Sequence, residues 1–391
     1  MNELVPDSKE EISLIQFCLL IIVFEIGTAA VVGLGTEAKQ DVWLSMILAT
    51  VIGMGLMAMY HEMIRRFPGN NLYDLLQICF GKVLAKIIAQ VYIVYFLYIG
   101  ARVLRDFAEL LVTVVLPNTP IEFTTIIFMI VVAYIVYCGF EVFARTAETF
   151  TPYIIVFLVL ITLFLFINKS IEINNLKPIF YNGMTPIIKG VFPRLMTFPF
   201  GELIVFTVVM HQVREIQKGK KYAVIAVLLA GMTITYHGLL NISVLGAETY
   251  ARTTFPLLMS AREIAIAQFV ERLDALVVFI VMLGVFVKAS IYFYCVIKGL
   301  EFSYNLPFRY FSFPVAMLIA PLSIFIANNF DEHIYEGVKI VPIYLHIPMQ
   351  YVLPAIVFII LLIKSRKGGK SIDKNQQKKK EQRQNPSSEN A

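Results

Sequence analysis

Three ionisable residues, Glu25, Glu202 and Lys288, stand inside long apolar stretches of this 391-residue sequence. An ionisable side chain at membrane depth carries a large free-energy cost unless it is paired or hydrated, so such residues are candidate functional groups. Two carboxylates and one ammonium can neutralise each other, meet the charged groups of a ligand or hold a coupling ion. The residue types predict a buried polar site in which Lys288 pairs with Glu25 or Glu202, or takes the place of a coupling cation.

Both carboxylates lie next to residues that interrupt helices. Glu25 opens the run 25–35 (EIGTAAVVGLG), and Glu202 closes the run 192–202 (FPRLMTFPFGE). Proline removes a backbone donor and clashes one turn back, and glycine adopts conformations that other residues avoid. In a bilayer, unwound backbone is tolerated only where it lines a cavity or binds something. We therefore expect a binding site at the two interruptions, with simple helix kinks as the alternative.

The elements that carry these residues are predicted to be membrane helices. Hydrophobic residues make up 58% of the sequence, charged residues make up 16%, and the mean hydropathy is +0.73. A spanning helix needs about 20 mostly apolar residues. Ten stretches meet that condition: 13–34, 42–64, 84–115, 122–140, 146–167, 186–211, 221–246, 274–298, 310–328 and 343–363.

The predicted fold class is an all-α polytopic membrane protein with ten transmembrane helices in two inverted five-helix repeats. The first and sixth helices of this set are five helices apart, so they run in opposite directions, and they carry the two interruptions. Discontinuous helices at corresponding positions of two inverted halves are typical of the substrate site of secondary transporters. We expect both breaks at the membrane midplane.

The sequence divides into three parts. Residues 1–11 form a polar N-terminus, residues 12–364 form the membrane domain, and residues 365–391 form a basic tail that we expect to be disordered. Lys and Arg are concentrated in the tail and in the loops on the same side of the predicted bundle, which places both termini in the cytoplasm. We expect a short helix in residues 67–81. Residues 255–273 predict an amphipathic surface helix, either a lid or an interfacial brace.

The third predicted helix carries two expected ion pairs. Arg102 lies one helical turn before Asp106, and Arg105 lies one turn before Glu109. A solvated vestibule, a subunit contact and a purely structural ladder would each accommodate these charges. We favour the structural ladder.

Enzymatic chemistry is not expected from this sequence. It contains no Gly-rich phosphate loop, no metal-ligand spacing and no nucleophile motif, so we predict no catalytic residue, no metal and no cofactor. An anionic membrane surface explains the basic tail better than a nucleic acid does. The expected surroundings of the basic tail are therefore lipid.

Several motifs, in their order and spacing, resemble the B-subunit family of spore germinant receptors. These are the run 25–35 followed by AKQDVW at 38–43, YFLY at 95–98 with LRDF at 104–107, LPNTP at 116–120, GFEVFAR at 139–145, and FPFGE at 198–202. The resemblance extends over about residues 11–364. Members of that family are similar to the amino acid/polyamine/organocation transporters, which have ten helices in two inverted repeats.

The resemblance implies a sensor in the inner membrane of a bacterial endospore that works with an A and a C subunit. It also implies a small germinant, such as an amino acid or a sugar, held by the unwound parts of helices 1 and 6. Carried onto this sequence, the resemblance nominates as ligand-binding residues Gly27, Thr28, Ala29, Phe200, Gly201 and Glu202, with Tyr95 or Tyr98 as an aromatic wall. The carboxylate of Glu202 would suit a zwitterion, whereas hydroxyl groups would suit a sugar.

Two other functions are compatible with the same pattern. A proton-coupled amino acid permease would have the same pocket but would need an ion site, whereas a sensor needs a ligand that biases the state of a partner. A scaffold without a ligand would use Gly27 and Gly201 only for close helix packing. We rank the sensor first, the permease second and the scaffold third.

Overall fold

A computed structural model describes residues 10–264 and 273–365. In this part of the chain the regular structure is helical, and Ile12 and Val213 form an isolated bridge. The helices are α1 (Leu14–Ala29), α2 (Val42–Arg66), α3 (Leu72–Val114), α4 (Ile121–Tyr137), α5 (Phe140–Ile167), α6 (Met184–Gly190), α7 (Phe206–Val209), α8 (Lys220–Leu245), α9 (Ala247–Arg252), α10 (Pro256–Arg262), α11 (Asp274–Tyr304), α12 (Arg309–Phe325), α13 (Phe330–Lys339) and α14 (Pro342–Ser365).

Seven stretches of this described part are helical, long and apolar enough to cross a membrane, and α12 with α13 would make an eighth although they are bent by 99°. Two shorter apolar helices, α1 and α4, have 16 and 17 residues. The all-helical membrane class is therefore confirmed, and an apolar helix occupies each of the ten predicted stretches. Ten spans and the inverted repeat remain predictions.

The helix α11 lies at the centre of the bundle and packs against α1, α3 and α5. Its apolar residues are spread around the helix, which is the pattern of a largely buried helix. Its crossing with α1 is unusually close, because a Cβ atom on Gly27 would lie 2.5 Å from the Cα atom of Gly284. This contact places Lys288, one turn beyond Gly284, against α1.

The first interruption lies later than the nominated residues. The helix α1 continues through Gly27 and Thr28, because the amides of Val31 and Val32 donate to the Thr28 carbonyl. Residues 30–35 then leave the helix, and Gly35 adopts the left-handed conformation with φ of 62°. A 3₁₀ helix (Thr36–Asp41) leads into α2.

The second interruption lies where the prolines predict it. After α6, a π-helical turn (Val191–Leu195) contains Phe192 in an extended conformation with φ −104° and ψ 129°. The chain leaves the helix at Phe198 and Pro199 and resumes as a 3₁₀ helix (Phe200–Val205) before α7. The interruption at residues 198–199 thus overlaps the predicted break at 199–201, whose last two residues lie in the 3₁₀ helix.

The connections between the helices agree in part with expectation. The helix predicted within residues 67–81 is the first part of α3, which bends at Gly81, where φ is 76°. The amphipathic helix predicted for 255–273 begins as α10, and residues 265–272 lie outside the described part of the chain. The basic tail from residue 366 onward and residues 1–9 also lie outside it.

One of the two predicted ion pairs of α3 is present. Arg105 and Glu109 lie 2.6 Å apart. Arg102 pairs with Glu336 at 3.5 Å instead of with Asp106, so that prediction is wrong. The reason is that α13 folds over this end of α3 and offers partners that the local spacing did not reveal.

Candidate functional site

The three buried ionisable residues form one cluster. The Lys288 Nζ atom lies 2.5 Å from Glu202 Oε2 and donates a hydrogen bond of 3.3 Å to Thr28 Oγ1. It also lies 4.4 Å from the centre of the Phe198 ring. The side chains of Lys288 and Glu202 are 0% and 2% exposed. The predicted pairing of Lys288 is thus with Glu202, and it joins α1, α11 and the break before α7.

Glu25 is the unbalanced member of this cluster. It is fully buried, and neither carboxylate oxygen has a hydrogen-bond partner among the described residues. Its charged neighbours in the described part of the chain include Lys288 and Glu202, and Lys288 pairs with Glu202. Burying an unpaired carboxylate is very costly, so this position is suited to hold a proton or to gain a cationic partner.

A cavity of about 280 Å³ lies beside the cluster. Its wall is formed by the non-helical residues after α1, by α3, by the chain around the second break, by residues 251–255 and by α13. Glu202 and His346 form part of this wall as well. The remaining polar lining residues include Thr36, Arg102, Asp106, Arg194, Arg252, Thr253 and Thr254.

The charges on the cavity wall already have partners. Arg194 pairs with Glu37 at 2.6 Å, which ties the chain before the second break to the 3₁₀ helix after the first. Arg102 pairs with Glu336, and its Nη1 atom donates a 3.3 Å hydrogen bond to the Tyr98 hydroxyl. A charged ligand that binds these side chains would therefore have to replace ion pairs and hydrogen bonds that they already make within the protein.

A polar network behind the cavity involves the first half of α14. This half, Pro342–Val352, is a π-helix, a rare form that frequently occurs at functional sites. The Tyr95 hydroxyl lies 2.7 Å from His346 Nδ1 and accepts a 2.9 Å hydrogen bond from Gln350 Nε2. The Gln350 side chain also lies against Gly201, where an added Cβ would come within 2.8 Å of Gln350 Cδ. The cavity wall at His346 is thus connected to the second break.

The nominated ligand-binding residues occupy different parts of this region. Glu202 lines the cavity. Thr28 accepts a hydrogen bond from Lys288, which pairs with Glu202. Tyr98 lies under Arg102, and Tyr95 contacts His346. The other four are not among the residues that line the cavity: Gly27 lies against Gly284, Ala29 inside α1, Phe200 against Gly53, and Gly201 against Gln350.

Several residues of the cavity were not predicted from the sequence as site residues. Arg102 and Asp106 were expected to form an ion pair, with a solvated vestibule as one alternative, and two charges in a spanning helix are themselves a signal of a cavity. Arg194 lies inside the run 192–202 and could have been found there. His346 and the wall formed by α13 carry no local signal, because they depend on how α13 and α14 pack.

Comparison with known proteins places this arrangement in context. The family model described as "Spore germination protein" matches residues 11–331. Spore germination protein KB of Bacillus subtilis (strain 168) is 33% identical over 365 residues, which cover 93% of this chain and 98% of that protein. Putative spore germination protein YfkT of the same organism is 27% identical over 338 residues, covering 86% and 91% of the two chains.

Among solved structures, the crystal structure of MhsT in complex with L-phenylalanine is similar to this chain. The TM-score is 0.63 at 12% sequence identity, and the match covers 90% of this chain and 99% of that one. At this identity the likeness concerns the fold alone, and the two chains share the arrangement of their helices.

Proposed function

Because this chain belongs to the spore germination protein family, we propose that it is the germinant-sensing membrane subunit of a spore germination receptor. In this proposal it lies in the inner membrane of the endospore with both termini on the cytoplasmic side. It works with the A and C subunits of the same receptor and binds one small nutrient. The helices would number ten, in two inverted repeats.

The observation that carries this proposal is the cavity between the two helix interruptions. Pockets for drug-sized molecules measure about 300–1,000 Å³, so a cavity of about 280 Å³ suits a small nutrient. It lies beside interrupted helices, the arrangement that holds substrates in secondary transporters. Its wall carries charges of both signs, Arg102 and Asp106 among them.

An amino acid is the ligand that this wall favours. Its carboxylate would meet Arg102, and its ammonium would meet Asp106, whose side chain is 32% exposed and uses only Oδ1 for His333 within the described chain. Glu202 is less suited to an ammonium than the sequence implied, because Lys288 already neutralises it. A sugar is the alternative, with the same polar groups and the threonines of the wall as hydrogen-bond partners.

A proton-coupled amino acid permease is the second candidate, and Glu25 is the observation that favours it. A buried carboxyl group without a hydrogen-bond partner in the described chain is a suitable carrier for a proton. The cavity would be the same in both cases. The two functions differ in whether ligand binding drives transport or biases the state of the A and C subunits.

The proposed site is tested by a substitution on α3 that places a large side chain in the cavity. Ile99 lines it and is 2% exposed, whereas Val94 on the same helix is 64% exposed. Spores that carry this chain as their single B subunit are first screened against individual amino acids and sugars. We expect Ile99→Trp to abolish the response to the active nutrient and Val94→Trp to preserve it, with equal amounts of both proteins by immunoblot. A normal dose response of Ile99→Trp would contradict the proposed site.

Transport is tested separately. The chain is reconstituted alone into liposomes with a proton gradient, and uptake of the radiolabelled nutrient found in the screen is measured. The sensor predicts no concentrative uptake. Concentrative uptake without the other subunits would make the permease the better description.

A further inference from the structure

The short helix α13 forms a roof on the cavity. It turns by 99° from α12, and Ile334, Gly337 and Val338 face the cavity. Its N-terminus is capped by Asn329, whose side chain accepts a hydrogen bond from the Glu332 amide. Besides the stacking of Phe330 on Phe255, a polar contact with α3 holds this helix over the cavity.

Two residues of α3 make that contact. The Arg102 guanidinium donates to the carbonyl of His333 and pairs with Glu336 Oε2 at 3.5 Å. It also lies so close to Gly337 that a Cβ atom there would overlap with it. Asp106 Oδ1 lies 2.8 Å from His333 Nε2, and the His333 side chain is 1% exposed. Arg102 and Asp106 are one helical turn apart, so they present one positive and one negative group on the same face.

These are the same two groups that a zwitterion in the cavity would use. We propose that α13 is an internal competitor of the germinant: it occupies Arg102 and Asp106 in the empty protein, and the germinant displaces it. The proposal rests on the function proposed above and names how binding becomes a signal. A ligand shifts an equilibrium only by its different affinity for two states, and competition for shared groups supplies that difference.

The displacement has a path to the rest of the molecule. Within three residues α13 is followed by the π-helical half of α14, which carries His346 and Gln350. Gln350 touches Gly201 at the second break, and His346 touches Tyr95 on α3. Movement of α13 therefore acts on the segment that connects the cavity wall to the broken helix. The exposed side of α13, including Tyr335 at 62% exposure, changes position at the same time.

Competition has a consequence that an ordinary structural helix does not have. If α13 and the germinant exclude each other, weakening the α13 contact raises the apparent affinity for the germinant, because more of the protein is competent to bind. Weakening a contact that merely shapes the site lowers the affinity instead. The direction of the shift therefore distinguishes the two roles.

Two variants weaken the contact without altering Arg102 or Asp106. Glu336→Gln removes the ion pair, and Gly337→Ala places a methyl group against the Arg102 guanidinium. The matched control is Gly55→Ala on α2, where no described atom beyond the helix's own backbone and its neighbours lies within 4 Å. Partly exposed ion pairs contribute about 1 kcal/mol or less, which corresponds to a shift of up to about fivefold.

The experiment has two readouts. The first is the labelling rate of Ile334→Cys, in a Cys138→Ala background, by a membrane-impermeant maleimide in nanodiscs without any nutrient. The second is the nutrient concentration that gives half-maximal germination of spores. We expect both Glu336→Gln and Gly337→Ala to label faster and to respond at about two- to fivefold lower concentration, with Gly55→Ala unchanged in both.

Unchanged labelling would overturn the proposal, because α13 would not depend on this contact. Faster labelling with an unchanged or higher half-maximal concentration would overturn it too, because α13 would open without competing. Failure of the proposed function is a different result: the unaltered chain would then respond to none of the nutrients, while the labelling rates would still report on α13.

Discussion

Replacing Lys288 with methionine is the perturbation that tests the buried cluster most directly. Methionine has a similar length, so Lys288→Met keeps the packing against Phe24 and Phe198. It leaves Glu202 and Glu25 without a cation. Removing one member of a buried pair costs about 3–5 kcal/mol. Since Lys288 is 0% and Glu202 2% exposed, water does not reduce this cost, and we expect the full loss.

Variants of Glu202 separate the free energy of the Lys288–Glu202 pair from the cost of each buried charge alone. Glu202→Gln alone should cost less, because Glu25 remains a carboxyl neighbour of Lys288. The double variant with Lys288→Met and Glu202→Gln should recover most of the stability, because neutral groups of similar shape can replace a buried pair at little cost. The coupling free energy is the sum of the two single losses less the small loss of the double variant, so we expect about 3 kcal/mol or more.

The assay heats the four proteins in parallel in one detergent and measures the folded fraction by fluorescence-detected size exclusion. Unfolding of large proteins is often irreversible, so the midpoints are compared at one heating rate. The expected order of midpoints is the unaltered chain and the double variant first, then Glu202→Gln, then Lys288→Met. A Lys288→Met midpoint equal to that of the unaltered chain would refute the reasoning, as would a double variant no more stable than Lys288→Met.

Two further predictions concern the neighbours of this cluster. Gly201→Ala should destabilise the protein by about 1–3 kcal/mol and weaken the germination response, because the new methyl group would lie 2.8 Å from Gln350 Cδ. Gly55→Ala is the control. Equal thermal midpoints for the two variants would show that the contact between Gly201 and Gln350 does not contribute to stability. Glu25→Gln should keep the thermal midpoint and the dose response of a sensor within about twofold, because an amide of the same shape fills a site with no described hydrogen-bond partner. A loss of response with intact folding would show instead that the sensor needs the carboxyl group of Glu25.

The sequence predicts the polar centre of this protein well because burial in a membrane leaves few alternatives. A lysine inside an apolar helix must find a partner, so a pairing with Glu25 or Glu202 was expected from cost, whereas the choice of Glu202 over Glu25 was not. The break at Pro199 followed from the chemistry of proline. Both inferences depend on local residues and a single energetic rule.

The outer part of the cavity could not be predicted in the same way. The pairing of Arg102 with Asp106 was the natural expectation from a spacing of one turn, yet Asp106 binds His333 and Arg102 binds Glu336. The partners are more than two hundred residues away in sequence, on a ten-residue helix whose placement depends on a 99° bend. Helical periodicity reports the face of a helix but not which distant element covers it.

A scaffold without a ligand would use Gly27 and Gly201 only for close helix packing, and one of these two glycines departs from that role. Gly27 behaves as that alternative requires, because it faces the backbone of α11 at Gly284 and permits a close crossing. Gly201 does not, because its neighbour is the side chain of Gln350, whose Oε1 atom has no hydrogen-bond partner among the described residues. A helix packing for stability alone gains nothing from a polar side chain pressed against a break. A break that changes shape when the cavity fills does gain, since Gln350 connects it to Tyr95 and His346 on the cavity side. We therefore expect Gly201 and the Gln350 side chain to change position together when the cavity fills.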